Sequence, residues 1–317
     1  MRRHSAIRPA SSTTGFRFFF RFLLAALFTL PLWTGAAAAA AAKSSAVSES
    51  ASRYTKGLLW KIESPGATAN YLFGTIHSDD ARVIALPEVV ARSLDASGRF
   101  VMEAIVDGEA LVRMAEVMFF NDERTLEQVI GNKLYMESMK ALTARGIPTL
   151  GVEKQKPWAV MMALSMPPPK TGEYLDLVLQ ARATQQNKPV SGLETIAEQL
   201  AVFDGLPLPD QVALLEDTVR AQANLDKEFE ELHKAYLARD LAAIAAIGEK
   251  NKPGDELLYN EVMDRLLVKR NLRMTERMAP ILKQGGAFIA VGAAHLPGET
   301  GLLYRLEKAG YRVTAVY

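Results

Sequence analysis

Short apolar runs alternate with helix-length segments along this chain, and this alternation most constrains how the chain can fold. Apolar runs bounded by turn-forming residues are typical of buried β-strands, whereas the longer amphipathic segments between them have the length of helices. Strands separated by helices predict a mainly parallel central sheet that is covered by helices. The strand-like runs lie at 57–62, 70–76, 99–104, 147–152, 188–193, 287–291 and 311–316.

A long segment without strand-like runs precedes the last two of these strands. It extends over about 209–284, and its pattern is helical almost throughout, with a break near 251–255. We therefore predict one α/β domain over 57–317, in which a helical insertion separates the earlier strands from the last two.

The first 42 residues differ in character from everything that follows. They contain five arginines and no acidic residue, with an apolar stretch at 22–33 and small residues at 36–42. This order is typical of a secretory signal peptide, so we predict that 1–42 is removed and that the Ser- and Ala-rich stretch 43–56 is a linker. The apolar stretch is shorter than the roughly 20 residues that cross a bilayer. We expect a periplasmic or secreted protein of a Gram-negative bacterium, with no stable membrane span after cleavage; an uncleaved N-terminal anchor is the alternative.

Charge and cysteine content exclude several classes of function. Removal of the five leader arginines from a formal net charge of +1 leaves the mature chain at −4, which argues against a nucleic-acid partner. The chain has no cysteine, so disulfides, cysteine-based zinc sites, iron–sulfur clusters and cysteine nucleophiles are excluded. The sequence also lacks the glycine-rich nucleotide motifs, the G-x-S-x-G elbow and the H-E-x-x-H zinc helix.

Two histidines stand in the same local pattern, each three residues after a glycine at the end of an apolar run. They are His77, after Gly74, and His295, after Gly292. A glycine at a strand end allows a sharp turn and a close approach of other groups. Since ligands bind beyond the carboxyl ends of parallel strands, we predict that both imidazoles face one cavity there. Two histidines that merely cap helix starts are the alternative.

Two glutamates follow strand-like runs in the same way. Glu103 ends the run at 99–104, and Glu194 follows the run at 188–193, although Glu194 could instead begin the next helix. Two imidazoles and two carboxylates suit Zn²⁺, Mn²⁺ or Co²⁺. The same four groups could also act without a metal, as acids and bases around a water molecule.

Two other polar residues lie within helical patterns. His233 lies at the border of an apolar stripe that contains Phe229 and Leu237, and we interpret it as structural. Arg270 lies among other basic residues of a long amphipathic helix, a pattern that is typical of a solvated face.

Taken together, the motifs of the chain resemble those of the TraB/GumN family, which is related to the TIKI metalloproteases. The resemblance extends over almost all of the sequence after the predicted linker. The matching segments are Leu-Trp-Lys at 59–61, Tyr-Leu-Phe-Gly-Thr-Ile-His at 71–77, Phe-Val-Met-Glu at 100–103, Lys-Pro-Trp at 156–158, Gly-Leu-Glu-Thr at 192–195, Glu-Gln at 198–199, Arg-Asn at 270–271, Val-Gly-Ala-Ala-His-Leu at 291–296 and Gly-Tyr-Arg-Val at 310–313.

The resemblance implies a fold and an activity. The implied fold is the α/β core of a larger group that includes erythromycin esterases and a haem-binding lipoprotein. The implied activity is hydrolysis of a peptide with the help of a divalent metal, Mn, Co or Zn. A non-catalytic protein that binds a peptide or haem, and a metal-independent esterase, are the alternatives. The implied active-site and metal-binding residues are His77, Glu103, Glu194 and His295, with Arg270 as a contact to the substrate or transition state.

Overall fold

The computed structural model describes residues 54–250 and 255–317, which form a six-stranded sheet flanked by helices. The strands are β1 (Leu59–Glu63), β2 (Asn70–Thr75), β3 (Arg99–Met102), β4 (Val190–Gly192), β5 (Ala287–Gly292) and β6 (Arg312–Ala315).

The sheet has the strand order β4-β3-β5-β2-β1-β6 and is mixed. The pairs β4·β3, β3·β5 and β5·β2 are parallel, whereas β1 pairs antiparallel with both β2 and β6. The predicted α/β class is therefore confirmed, with a parallel core and an antiparallel margin. The register pairs Thr75 with Gly292 and Met102 with Gly192. The carboxyl ends of the four parallel strands thus meet at one edge of the sheet.

One predicted strand is wrong. The apolar run at 147–152 forms turns and a short 3₁₀ helix, Val152–Lys154, instead of extending into the sheet. Gly146 and Gly151 have φ angles of 67° and 82°, so the backbone turns at both ends of the run. Leu150, between them, is 97% exposed. The short run therefore crosses the surface as a connection between two helices.

Thirteen α-helices are present in the described parts of the chain, and six of them lie between β4 and β5. A π-helical turn, Asp264–Val268, also lies between β4 and β5, directly before the helix Lys269–Gln284. The α-helices are α1 (Ala81–Ile84), α2 (Glu88–Ala96), α3 (Gly108–Met118), α4 (Leu126–Ala144), α5 (Pro157–Leu164), α6 (Leu175–Gln185), α7 (Ile196–Asp204), α8 (Leu208–Arg220), α9 (Leu225–Leu237), α10 (Leu241–Lys250), α11 (Glu256–Met263), α12 (Lys269–Gln284) and α13 (Leu302–Lys308).

The helices between β4 and β5 are hydrogen-bonded to strand β2 near both of its ends. The buried Tyr236 hydroxyl on α9 donates a hydrogen bond of 2.9 Å to the carbonyl of Gly74 on β2. At the other end of the helical segment, Asn70 Nδ2 donates to the carbonyl of Leu282 on α12. Each bond satisfies a polar group in the core, where an unpaired one would be costly.

Most of the predicted N-terminal segments lie outside the residues that the structure describes. The predicted signal peptide, 1–42, and the part of the predicted linker at 43–53 lie outside the described residues. Within the residues that the structure does describe, we find no helix with the length and apolar character needed to span a membrane.

Candidate functional site

Four of the five predicted site residues meet at the edge where the parallel strands end. Glu103 directly follows β3, and Glu194 lies two residues after β4, where a capping box of Thr195 and Glu198 starts α7. Arg270 reaches them from the first turn of α12, after the π-helical turn. His295 ends the short 3₁₀ helix that continues β5. Because the strands are parallel, residues distant in sequence converge here.

Arg270 bridges the two glutamates. Its Nη2 lies 2.6 Å from Glu103 Oε2 and 2.8 Å from Glu194 Oε2, and its Nε donates to Glu194 Oε2 at 2.9 Å. Arg270 is 6% exposed, so the structure buries it and does not place it on a solvated basic face. Arg273 adds a second cation, 3.0 Å from Glu194 Oε1. Pairing of this kind is what makes buried charges tolerable.

Glu103 is held in its ionised form. Its Oε1 accepts a hydrogen bond of 2.6 Å from the backbone N–H of Gly292, and its Oε2 accepts one of 3.1 Å from Gln199 Nε2. Burial acts to raise the pKa of Glu103, but the positive charge of Arg270 and the hydrogen bonds from Gly292 and Arg270 together act against burial, and the pKa is lowered to about 2. The carboxylate is therefore charged at neutral pH.

His295 is held in one neutral tautomer. Its Nδ1 lies 2.6 Å from Oδ1 of the fully buried Asn271. The Asn271 amide nitrogen donates to the carbonyl of Thr300, which leaves Oδ1 as the acceptor for the imidazole N–H. Burial lowers the pKa of His295 to about 3, and Arg270 reinforces that shift against the opposing charge of Glu103. The Nε2 lone pair is therefore available, 3.6 Å from Glu103 Oε1.

These groups line a small cavity of about 90 Å³, which we call the Glu103–His295 pocket. Gly292 also lines the pocket. A Cβ atom at that position would lie 3.2 Å from Glu103 Oε1 and 3.5 Å from His295 Cδ2, so only glycine leaves this space open. Arg270 and Gln199 supply its other polar groups. Its apolar walls are Met162, Leu200, Phe203, Leu266 and Leu267.

His77 does not join this group. Its ring stacks on Tyr174 with a centroid distance of 4.1 Å, and its Nδ1 lies 3.7 Å from Asp176 Oδ2. It lines a different cavity, of about 150 Å³. Strand β2 continues past Gly74 to Thr75, whereas β5 stops at Gly292 and turns into a 3₁₀ helix. The two G-x-x-H motifs therefore direct their histidines differently, contrary to the prediction of one shared cavity.

The resemblance implies a divalent metal, and the donor set of the pocket does not fit one. Catalytic zinc sites use three protein ligands, whereas His295 Nε2 and Glu103 Oε1 are two. Both oxygens of Glu194 lie within 3.0 Å of arginine nitrogens. Across residues 54–250 and 255–317, no group of three or more His, Cys, Asp or Glu side chains is arranged to hold a metal ion. The predicted set of His77, Glu103, Glu194 and His295 is not assembled.

Sequence reasoning missed several residues that contact the predicted site residues. Asn271 and Gln199 carried no assigned role, and Tyr174 and Asp176 were not singled out. One usable indication for Asn271 was the Arg-Asn pair at 270–271, which belongs to the segments that carry the family resemblance. Nothing local marked Tyr174, because its contact with His77 depends on the tertiary fold.

A wider groove of about 680 Å³ is lined by residues that do not line the pocket. Glu194 lines the groove and is bonded to Arg270, a residue of the pocket. Helix α3 forms one wall and has no buried residue. The residues of that wall include Glu109, Ala110, Arg113, Glu116 and Val117.

The comparisons with known proteins agree with the resemblance found in the sequence. The model of the TraB/PrgY/gumN family matches residues 58–315. The chain is 25% identical over 312 residues to "Metalloprotease TIKI1" of Xenopus tropicalis, covering 80% of this chain and 60% of that protein. It is 24% identical over 351 residues to "Metalloprotease TIKI1" of Homo sapiens, covering 92% and 68%. It is 28% identical over 258 residues to "Uncharacterized protein YbaP" of Escherichia coli (strain K12), covering 76% and 89%. No solved structure matches.

Proposed function

Because the chain belongs to the TraB/PrgY/gumN family, we propose that it is a hydrolase whose reaction centre is the Glu103–His295 pocket. The observation that carries the proposal is the fixed, neutral imidazole of His295, whose Nε2 lone pair faces the carboxylate of Glu103 at 3.6 Å. An oriented base beside a carboxylate is the arrangement that activates water for attack on a carbonyl.

The proposed reaction begins with a water molecule against His295 Nε2. As the water attacks the carbonyl carbon, its proton moves to Nε2, and the nearby negative charge of Glu103 stabilises the imidazolium that forms. Asn271 keeps Nδ1 as the donor throughout, so the ring cannot turn away. The proton then passes to the leaving amine or alkoxide as the tetrahedral intermediate collapses.

Arg270 is the proposed partner of the oxyanion. Its Nη1 makes a hydrogen bond of 3.5 Å to the carbonyl of Leu266, which is long and leaves donor capacity toward the pocket. A fixed cation in a site that excludes water stabilises developing negative charge far better than an exposed one. The two glutamates hold the guanidinium in place for this role.

We propose a peptide as the substrate. A pocket of about 90 Å³ holds a scissile carbonyl and a water molecule, whereas ligand sites usually span roughly 300–1,000 Å³. The groove of about 680 Å³ beside Glu194 is large enough for the flanking residues of an extended chain. The chain spans about 60% of the length of the first TIKI1 relative, so the peptidase named for that relative is carried over as a proposal.

The test is a comparison of His295→Gln and Glu103→Gln with the parent protein, purified without a metal-charged resin. The substrates are internally quenched peptide libraries and a nitrophenyl ester series. We expect each variant to lose about 10²–10⁴-fold in kcat/KM, the contribution of a positioned acid or base. Asp95→Asn is the control, because Asp95 pairs with Arg182 elsewhere on the surface. Full activity in His295→Gln contradicts the proposal.

A chelator distinguishes metal-independent hydrolysis from metal-dependent hydrolysis. The pocket offers two donors, so we expect activity to survive EDTA. Loss of activity that Mn²⁺, Co²⁺ or Zn²⁺ restores would establish the metal-dependent form, which the names of the TIKI metalloprotease relatives support. Binding of a peptide or haem without turnover would instead favour a non-catalytic binding protein.

We also propose export to the periplasm or the cell exterior. The support is the arginine-rich, apolar and alanine-rich order of 1–42, which precedes the residues matched by the family model.

A further inference from the structure

A second group of reactive side chains lies in the cavity that also contains His77. This cavity of about 150 Å³ lies between the loop after β2 and helix α9. Ser78, Asp80 and His233 line it, and each of them is at most 7% exposed. None of the three belongs to the Glu103–His295 pocket.

The three side chains are arranged as a nucleophile, a base and an acid. Ser78 Oγ lies 2.9 Å from His233 Nε2, and His233 Nδ1 lies 3.7 Å from Asp80 Oδ2. The second distance is too long for a hydrogen bond but places a carboxylate beside the far side of the ring. Asp80 is itself held by Arg82, whose Nε and Nη2 each donate to it at 2.9 Å.

The direction of the serine hydrogen bond follows from its other partner. The backbone N–H of Asp80 donates to Ser78 Oγ at 3.1 Å, so the serine proton is free to point at His233 Nε2. That bond requires a neutral ring with its own proton on Nδ1, toward Asp80. Burial lowers the pKa of His233, although Asp80 opposes the shift, and the ring is therefore neutral at pH 7.

The contacts of His233 differ from those of a residue that only packs on the apolar face of a helix. His233 does pack edge-on against Phe229, at a centroid distance of 6.1 Å, as a structural role requires. However, its Nε2 is directed at a serine in a polar cavity, within hydrogen-bonding distance of the hydroxyl. A nucleophile within reach of a base, with a charged group behind that base, is the geometric mark of acyl transfer.

We propose that Ser78 is a nucleophile that accepts the acyl group of a short ester, with His233 as its general base. The size of the cavity limits the acyl group to a few carbon atoms. Lys170 lines the cavity as well, but Asp79, Asp226 and Glu230 outnumber it, and the net negative charge disfavours an anionic substrate. The substrate class is therefore a neutral or cationic short-chain ester.

The reaction has two balanced halves. Ser78 Oγ forms a bond to the carbonyl carbon, the ester C–O bond breaks, and the serine proton passes through His233 Nε2 to the departing alkoxide. A water molecule then attacks the acyl-serine, giving its proton to His233. The acyl C–Oγ bond breaks, Oγ recovers the proton, and a carboxylic acid leaves.

A small fluorophosphonate tests the nucleophile directly. Ser78 Oγ would form a bond to phosphorus as fluoride leaves and the proton goes to His233. By intact mass and peptide mapping, we expect one adduct at Ser78 in the parent, none in Ser78→Ala, and a rate about 10²-fold lower in His233→Gln. Ser165→Ala should label like the parent, because Ser165 is buried and bonded to the carbonyl of Met161.

A unique thiol provides a second reagent of smaller size. The chain has no cysteine, so Ser78→Cys introduces a single one. At pH 7, we expect iodoacetamide to alkylate it about 10-fold or more faster than it alkylates Ser165→Cys, because a neighbouring imidazole promotes the thiolate. Ser78→Cys/His233→Phe keeps a ring beside Phe229 but should lose this advantage.

The proposal fails if neither reagent modifies position 78, or if modification proceeds at the same rate without the His233 imidazole. Melting temperatures accompany each variant, and His233→Phe substitutes for His233→Gln if the latter does not fold. The adduct is read at one serine, so its presence or absence is independent of any activity in the Glu103–His295 pocket.

Discussion

The Nδ1 atom of His295 lies 2.6 Å from the Oδ1 atom of Asn271. This contact links β5, at whose end His295 stands, to the first turn of α12, which also carries Arg270. One helical turn thus fixes the imidazole and supplies the guanidinium that neutralises Glu103 and Glu194. A π-helical turn, Asp264–Val268, directly precedes this helix, and such turns occur frequently at functional sites.

Substitution of Asn271 tests whether this contact serves the reaction. We expect Asn271→Leu to lower kcat by at least 10-fold, because the imidazole loses the acceptor that fixes its tautomer. It should also lower the melting temperature, since the Thr300 carbonyl loses one of its two donors and keeps only Arg305 Nε. Asn271→Asp places a negative charge beside the ring, which raises the pKa of His295 and should move the acid limb of the pH–rate profile upward. An unchanged profile in both variants would show that the contact has no role in the reaction.

The pKa of His295 also predicts how stability depends on pH. In the unfolded chain the imidazole titrates near 6.5, whereas burial lowers the folded-state pKa to about 3. Between these values the unfolded state binds more protons, so stability is fully present above 6.5 and is lost as the pH falls toward 3. We expect the melting temperature of the parent to drop more between pH 7.5 and 4.5 than that of His295→Gln. Equal drops would contradict the assigned burial of the imidazole.

The strand ends of the site could be predicted from the sequence. Glu103 and Glu194 follow apolar runs, and His295 follows a glycine at the end of another. Parallel strands collect such residues at one edge, so their convergence required no knowledge of the helices. The family resemblance pointed to the same residues and is confirmed by the match over 58–315.

The partners of these residues could not be predicted, because they come from distant parts of the chain. Arg270 and Glu103 are 167 positions apart, and nothing local to the α12 sequence shows that its basic residue is buried. The direction of the His77 side chain could not be predicted either. Its motif matches that of His295, but the stacking of Tyr174 on its ring is a tertiary contact. A sequence pattern can place a residue at the end of a strand, whereas the direction of its side chain depends on the residues that pack around it.

Removal of the Arg270 guanidinium should unfold the site. Both glutamates would lose their shared cation, and a buried ion pair that loses one partner costs about 3–5 kcal/mol. We therefore expect Arg270→Ala to lower the melting temperature strongly, and Arg270→Lys less so, because lysine keeps the charge without the fork that spans two carboxylates. Arg182→Ala is the matched control, since its pair with Asp95 is exposed. A melting temperature of Arg270→Ala equal to that of the control would contradict the buried charge cluster.

N-terminal processing is a further expectation from the sequence. The alanine-rich stretch at 36–42 is the region suited to cleavage, so the mature protein should begin near Lys43. Sequencing the N-terminus of protein from the periplasmic fraction checks this. A start at Met1 together with membrane association would instead support the uncleaved anchor.

The two glycines of the G-x-x-H motifs should respond differently to alanine. A Cβ atom on Gly74 would lie 2.7 Å from Leu296 Cδ1 and 3.0 Å from the Ala293 Cα, so the backbone after β5 would have to shift. Such overpacking typically costs about 1–3 kcal/mol. A Cβ atom on Gly292 would instead press on Glu103 Oε1 at 3.2 Å.

We therefore expect Gly74→Ala to lower the melting temperature by several degrees, and Gly292→Ala to lower kcat with a smaller effect on stability. Gly292 has a φ of −53°, which alanine adopts without strain, so the loss would come from the displaced carboxylate and not from the backbone. Gly108→Ala is the control, because nothing lies within 4 Å of its Cβ position. Circular dichroism melts and peptide-cleavage rates on the three variants separate the two effects. If Gly292→Ala keeps full activity, the close approach of the strand end to Glu103 is not needed for the reaction.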